Sequence, residues 1–281
     1  MNTKKLILID GTGFMYRAYY ASLGATYTTG LKLFIGMLKR VTAMLTDEGD
    51  YGVCAFDWNG KLSKVGIYPG YKAGRASMPE SLKLQEEYMQ RSAEALGWNV
   101  VRLHGIEADD IIGTLTMQGC RQGLRVVICS SDKDLAQLVN ERVVVIDTMR
   151  DKVRDVVTVT KEFGIPPKWM TDYQSLIGDK VDDIPGIEGI GPVTAAKLIN
   201  QYEGLDGLLA NLDKVKGSAG VKLRASVEWI NVARKLVTIN TELPGVPVID
   251  TLSLNHPSSE IVKTILNEYK ERVKNEQSSN T

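Results

Sequence analysis

Acidic residues recur where a short apolar run ends. Asp10 closes Leu6–Ile9, Asp57 closes a run from Tyr51, and Glu107, Asp109 and Asp110 follow Val100–Leu103. Asp132 and Asp134 follow the run that ends at Cys129. One acid in such a place is an ordinary helix cap. Seven gathered at one location are not, because like charges a few ångström apart raise one another's pKa and work against the fold. Hard divalent cations relieve that repulsion, and a ligand set made only of oxygen suits Mg²⁺ or Mn²⁺. No histidine stands in these motifs, and His104 is separated from Glu107 by two residues, which argues against zinc. A further acidic set, Gly178-Asp-Lys-Val-Asp-Asp183, lies later in the chain.

A basic counterpart follows Asp57. Residues Lys61 to Met78 contain Lys61, Lys64, Lys72 and Arg75 and no acid, with Tyr68 and Tyr71 interleaved. Cations for phosphates beside aromatic faces for bases describe a surface for single-stranded nucleic acid. Overhanging an acidic cluster, such a loop would hold a phosphate between metal ions and lysine. Its like charges repel, so the segment is expected to be mobile without nucleic acid. The run from Pro185 to Ile199 is a glycine turn entering a helix, with Pro192 at the first helical position. Gly189 and Gly191 would permit positive φ, the exposed amides could hold a phosphate with Lys197 nearby, and the carbonyls could hold a monovalent cation.

The elements that must carry these residues alternate. Strands are expected at 5–10, 51–57, 100–103, 125–130 and 142–147, and helices at 30–45, 79–96, 107–122 and 132–139. That order predicts a largely parallel α/β sheet. All the early acids would then lie at the C-terminal edge of the sheet, where open parallel sheets bind ligands. Pro166-Pro167 ends the pattern, helices dominate to about residue 237, and 274–281 is expected to fray. The expected units are residues 1–165, an α/β core, and 166–281, a helical region with its turn at 185–199.

Lys plus Arg and Asp plus Glu number 34 each, so net charge decides nothing about nucleic acid and placement must. No apolar stretch approaches the roughly 18 residues of a membrane helix, and the start is too short in apolar residues for a signal peptide. No membrane partner and a cytoplasmic location are expected. Cys54, Cys120 and Cys129 have no Cys-x-x-Cys spacing and are expected as reduced thiols. A phosphatase built on Asp10 as nucleophile would need a second Asp two residues earlier, where Leu8 stands.

The motifs together resemble the 5′-nuclease domain of bacterial DNA polymerase I and its stand-alone relatives, the flap endonuclease or 5′→3′ exonuclease family. The resemblance runs from about residue 4 to about 250. It is carried by Asp10-Gly with Tyr16-Arg-Ala-Tyr19, Phe56-Asp57, Tyr71-Lys-Ala-Gly-Arg75, Gly105-Ile-Glu-Ala-Asp-Asp110, Ser131-Asp-Lys-Asp-Leu135, Gly178-Asp-x-x-Asp182 and the turn Gly186–Gly191. It implies a mostly parallel central sheet flanked by helices, a helical arch at about 60–95, and a C-terminal helix–three-turn–helix element that grips duplex DNA and binds K⁺. It implies a monomeric, structure-specific nuclease that uses two Mg²⁺ ions, with Mn²⁺ as substitute, to cut DNA at a 5′ flap or at a 5′ end beside duplex, leaving 5′-phosphates. Asp10, Asp57, Glu107, Asp109 and Asp110 would serve the first metal. Asp132, Asp134, Asp179 and Asp182 would serve the second, with some sharing. Lys72 and Arg75 would face the scissile phosphate, and Tyr71, Gly186, Gly189, Gly191 and Lys197 would contact DNA. The rival of another class is a non-catalytic DNA-binding scaffold. One departure is Asp183, where the family commonly has Asn. No polymerase domain follows the match, which points to a free-standing nuclease.

Overall fold

The computed structural model describes residues 4–279. Its sheet comprises β1 (Lys5–Asp10), β2 (Tyr51–Phe56), β3 (Asn99–Arg102), β4 (Arg125–Cys129), β5 (Val143–Asp147) and β6 (Lys152–Arg154). Their spatial order is β3-β2-β1-β4-β5-β6, all pairs parallel except β5 with β6. The chain winds outward from β1 to β3, then returns to the other side of β1 for β4 to β6. The crevice beyond the C-terminal ends of β1 and β4 is therefore a topological switch point, the place where such sheets hold ligands. Ile9 sits opposite both Cys54 and Cys129, so Asp10, the residues after Phe56 and those after Cys129 emerge side by side.

Among the described residues eleven α-helices accompany the sheet: α1 (Gly11–Ala21), α2 (Thr29–Leu45), α3 (Glu80–Ala95), α4 (Ala108–Arg121), α5 (Val156–Phe163), α6 (Met170–Ile177), α7 (Pro192–Gln201), α8 (Leu205–Ala210), α9 (Gly217–Ala225), α10 (Val227–Val237) and α11 (Ser259–Ser279). Successive strand side chains point to opposite faces, so the sheet feeds two cores. Leu6, Leu8, Val53, Ala55, Val126 and Ile128 pack with Ile111, Ile112 and Leu115 of α4 and with the helices that follow β6. Ile7, Ile9, Cys54, Phe56 and Cys129 pack on the other face with α1, α2, α3 and α11. Burial on both faces is why these strands read as unbroken apolar runs. In α2 the stripe Leu31, Phe34, Ile35, Leu38 and Val41 is buried, as its helical spacing predicts.

Three elements were not legible in the sequence pattern. Helix α1 forms from Gly-Thr-Gly and three tyrosines, poor helix material. It is held by Asp10, whose carboxylate caps Gly13, and by burial of Phe14, Met15 and Ala18. The short edge strand β6 and helix α5 follow β5; α5 opens on a reciprocal capping box between Asp155 and Thr158 and ends at Gly164 in the left-handed region. The helix expected at 132–139 is only a tight 3₁₀ turn over Asp134–Leu138.

The expectation of fraying at 274–281 is corrected as far as residue 279, which lies in α11; residues 280 and 281 lie outside the described residues. Of the span read as an arch, residues 61–79 cross the site with one short helical turn at Ser63–Gly66. Residues 80–95 form α3, which packs on α2 and α11. The middle of the crossing segment is anchored to the loop after α6 and to α10. Tyr71 packs with Ile184, Ala233 and Leu236, and the Lys72 amide donates to the Asp182 carbonyl at 2.9 Å. All three cysteines are unpaired, and among the described residues no helix is long and apolar enough to cross a membrane.

Candidate metal centre

The carboxylates meet at the switch point in two connected groups. The first lines a cavity of about 450 Å³ with Asp10, Asp57, Glu107, Asp109 and Asp132 among its walls, together with Lys72 and Arg75. Asp10 accepts from the Gly13 amide at 2.7 Å and from the Ser130 hydroxyl at 2.7 Å. Burial, only partly offset by those two bonds, raises its pKa to about 6. Ser130 in turn accepts from the Asp132 amide at 3.0 Å, which couples the ends of β1 and β4. Asp57 accepts from the Ala108 amide at 2.7 Å, so it caps α4 from a neighbouring strand, and burial raises its pKa too. Asp109 is pushed well above the usual carboxylate range, first by burial and then by Asp132, Asp10, Asp57 and Glu107.

The second group is centred on Asp134. Burial, then Asp132, Asp179 and Asp182 beside it, raise its pKa to about 7, with Lys133 opposing. Asp179 and Asp182 come from the loop after α6. Asp179 accepts from the Val181 amide at 2.7 Å and pairs with Lys133 at 2.8 Å. Burial would raise Asp179, but Lys133 outweighs it and holds the carboxyl below its ordinary value. Asp132 thus belongs to both groups.

The chain's own cations sit among these acids. Glu107 pairs with Lys72 and, at 3.4 Å, with Lys64; Asp182 pairs with Arg75. Burial would raise Glu107, but Lys64 and Lys72 override it and lower its pKa. Burial would lower Lys72, but Glu107 and Asp182 keep it above its ordinary value and so charged. The donor set is all oxygen and mutually repulsive, which fits a hard divalent ion. Among the described residues, however, no three acidic, histidine or cysteine side chains already converge on one point. Glu107, Asp179 and Asp182 are drawn toward Lys72, Lys133 and Arg75, so chelation requires their rotation away from these partners.

Two residues stand elsewhere than the sequence suggests. Asp110 lines a separate cavity of about 580 Å³ shared with Ser63, Lys64 and Asn240, and accepts from the Asn240 amide at 2.8 Å. Tyr71, read as a stacking platform for bases, is buried. Its hydroxyl donates to Glu107 at 3.0 Å and lies 3.3 Å from an Asp182 oxygen, while Tyr68 packs edge-on against Trp229. Burial, then those carboxylates, push the Tyr71 hydroxyl up, so it acts as a donor. Thr12, Ser130 and Asn240 support the site without any signal in the sequence, and Lys64 joins it from the basic segment.

In the glycine turn, Gly189 has φ 76°, as expected, but Gly191 is extended at φ −86° with open space around it, so its freedom is not used. Gly186 packs so closely on Ile177 that a Cβ would lie 2.2 Å from its carbonyl oxygen. Lys197 is exposed on α7.

Asp183 has φ 55°, a conformation that Asn and Asp tolerate best among residues with a Cβ. Its carboxylate accepts from the Gly74 amide at 2.7 Å, holding the crossing segment. An Asn oxygen can accept the same bond. Asp183→Asn is therefore expected to keep this bond and to change stability by about 0.5 kcal/mol or less. Thermal unfolding of the variant checks this; a larger loss would mean that the charge itself holds the segment.

The sequence model described as 5′-3′ exonuclease, N-terminal resolvase-like domain, matches residues 5–164, and that described as 5′-3′ exonuclease, C-terminal SAM fold, matches 165–260. The chain is 34% identical over 268 residues to a 5′-3′ exonuclease of Aquifex aeolicus, covering 94% of this chain and 92% of that protein. It is 36% identical over 282 residues to DNA polymerase I of Pseudomonas aeruginosa, covering 95% of this chain but only 31% of the polymerase. The fold is similar to T5 5′-exonuclease with bound divalent zinc ions, with a TM-score of 0.72, 17% identity and coverage of 95% and 99%. It is also similar to the catalytic core of Rad2 in complex with DNA substrate, with a TM-score of 0.63, 12% identity and coverage of 95% and 87%.

Proposed function

Because the chain belongs to the 5′-3′ exonuclease family, we propose that it is a Mg²⁺-dependent nuclease that cuts DNA at 5′ flaps and at 5′ ends beside duplex. The observation that carries this reading is a cavity lined by Asp10, Asp57, Asp109 and Asp132 together with Lys72 and Arg75. Such a cavity accepts a phosphodiester between acids that hold cations and bases that neutralise phosphate. Asp10, Asp57, Glu107 and Asp109 would hold one ion, and Asp134, Asp179 and Asp182 another, with Asp132 between them. When bound, these ions supply Lewis acidity to the phosphate and a nucleophile from water at neutral pH. Mn²⁺ substitutes on the same oxygens.

Lys72 and Arg75 meet the phosphate by exchanging Glu107 and Asp182 for its oxygens. The Tyr71 hydroxyl offers Glu107 a donor as it turns from Lys72. The amides of the turn at 186–191 and Lys197 hold phosphates of the adjoining duplex, and the carbonyls of that turn take K⁺. These contacts read backbone position, so the enzyme is specific for structure and not for sequence.

Incubation of the purified protein with a 5′-labelled flap duplex, in Mg²⁺ and in EDTA, tests the reading. Mg²⁺-dependent products carrying 5′-phosphate are expected. Binding without cleavage in Mg²⁺ and in Mn²⁺ would instead make the chain a scaffold. Lys72→Ala is expected to depress the single-turnover rate more than DNA affinity. Lys197→Ala should weaken duplex binding and make its salt dependence shallower by about one log–log unit at most. Single-turnover kinetics with a salt titration separates the two; indistinguishable profiles would dissolve the division between reaction site and duplex anchor.

A further inference from the structure

Behind the second group of acids runs a chain of two amides, Gln174 buried and Gln137 half-buried. The Gln174 side chain donates from Nε2 to Oδ1 of Asp134 at 2.5 Å. Its Oε1 accepts from Gln137 Nε2 at 3.4 Å. Gln137 is fixed in turn by the main chain that follows α10. Its Oε1 accepts from the Ile239 amide at 3.0 Å, and its Nε2 donates to the Val237 carbonyl at 3.1 Å. A third contact, from the Thr171 hydroxyl to the same oxygen at 3.1 Å, agrees.

The direction of this chain is not free. A side-chain amide can present oxygen or nitrogen on either side, and its neighbours decide which. A peptide N–H demands oxygen and a peptide C=O demands nitrogen, so Ile239 and Val237 together fix Gln137. Gln137 then turns its nitrogen to Gln174, whose oxygen must face it, and the Gln174 nitrogen is left facing Asp134. One oxygen of a carboxylate crowded by Asp132, Asp179 and Asp182 is thereby held by a neutral donor. Gln174 also lies on α6, whose end carries the Asp179–Asp182 loop, and its carbonyl accepts from the Gly178 amide at 2.8 Å. The same residue thus fixes Asp134 and the base of the loop that faces it.

We propose that Gln174 is a positioning residue for divalent-cation binding at Asp134, and that its orientation is set through Gln137 by the main chain at 237–239. This rests on the metal-centre reading above. Partners of this kind, beyond the ligands themselves, are worth roughly 10–100-fold in metal affinity. The test is Mn²⁺ affinity of the DNA-free protein, read from the electron paramagnetic resonance signal of unbound Mn²⁺, alongside Tm in EDTA. Gln174→Met should weaken Mn²⁺ binding by about tenfold or more. Gln137→Glu keeps an acceptor for Ile239 but offers no donor to Gln174, so it turns the Gln174 oxygen toward Asp134. It should weaken Mn²⁺ binding although residue 137 never touches a ligand. A lowered Tm in both variants with Mn²⁺ affinity unchanged would make the amides structural only and overturn the proposal. Loss confined to Gln174→Met would overturn it too, since orientation would then not pass through Gln137. An unmodified protein that bound no Mn²⁺ would remove the metal-centre reading itself, a result distinct from either.

Discussion

Asp109→Asn is expected to lower the single-turnover cleavage rate by roughly 10³-fold or more while raising the melting temperature of the metal-free protein. The two effects have one origin. Asp109 stands in the first turn of α4 with Asp10, Asp57, Glu107 and Asp132 around it, and burial plus their charges push its pKa well up. A carboxyl whose pKa is higher in the folded state takes up a proton on folding, so its ionised form opposes folding as pH rises through that window. Asparagine removes the charge at nearly constant shape. If the relief is about 1 kcal/mol, Tm in EDTA should rise by roughly 2–4 °C. On the proposed reading, in which Asp109 is a ligand, weakening it costs several kcal/mol of barrier. DNA affinity in Ca²⁺ should hold or improve, since repulsion of phosphate falls. Single-turnover cleavage in Mg²⁺ and calorimetry in EDTA measure the pair. A near-normal rate would remove Asp109 from the reaction, and a fall in Tm would mean that its charge is already compensated.

Gly178→Ala should be the most damaging single methyl in the chain's second acidic loop. Gly178 has φ 68° and ψ −172°, a region essentially closed to residues with a Cβ. A Cβ there would lie 2.3 Å from the Ile184 carbonyl oxygen and 2.4 Å from the Gly186 amide nitrogen. Both obstacles are main chain and cannot swing aside. Backbone strain and overpacking, each about 1–3 kcal/mol, act together. The paired bonds between Asp179 and Ile184, each 2.8 Å, close the loop over that contact, so relief of the clash must displace Asp179 and Asp182. Tm should fall by roughly 10 °C, and cleavage should fall with it even well below the transition. Gly191→Ala is the control, because its backbone is extended and nothing lies within 4 Å of the added methyl. A Gly178→Ala protein melting within a degree of the parent would show that the loop yields freely.

The strand ends could be read from sequence because an apolar run that stops at an acid is a local signal, and a parallel sheet places all such ends together. Asp10, Asp57, Glu107, Asp109 and Asp132 gather for that reason. Side-chain direction is not local. Asp109 and Asp110 are adjacent on one helix, yet about 100° of helical rotation sends one into the acidic cavity and the other toward Lys64 and Asn240. Tyr71 misled for a similar reason: aromatic residues in a basic stretch look alike whether they face solvent or a carboxylate. Helix α1 escaped notice because its stability comes from a cap and from core contacts and not from propensity. The Gln174–Gln137 chain left no trace in spacing at all, since its members are joined only by the packing of α6 and of the segment after α10 against the 3₁₀ turn at Asp134–Leu138.

The last helix changes what counts as a half of this molecule. After α10 the chain runs back along the sheet, where Gly52 and Asn255 bond to Leu252 and Gly97, and α11 then lays Val262, Ile265, Tyr269 and Val273 into the core under β1 and β2. The sequence families divide the chain at residue 164, but the material that completes the first piece comes from beyond the second. The helical part is in effect an insert stitched into the sheet's own core at both of its ends. Neither piece can lose its order without uncovering apolar surface of the other, so a heating curve should show one cooperative transition and not two.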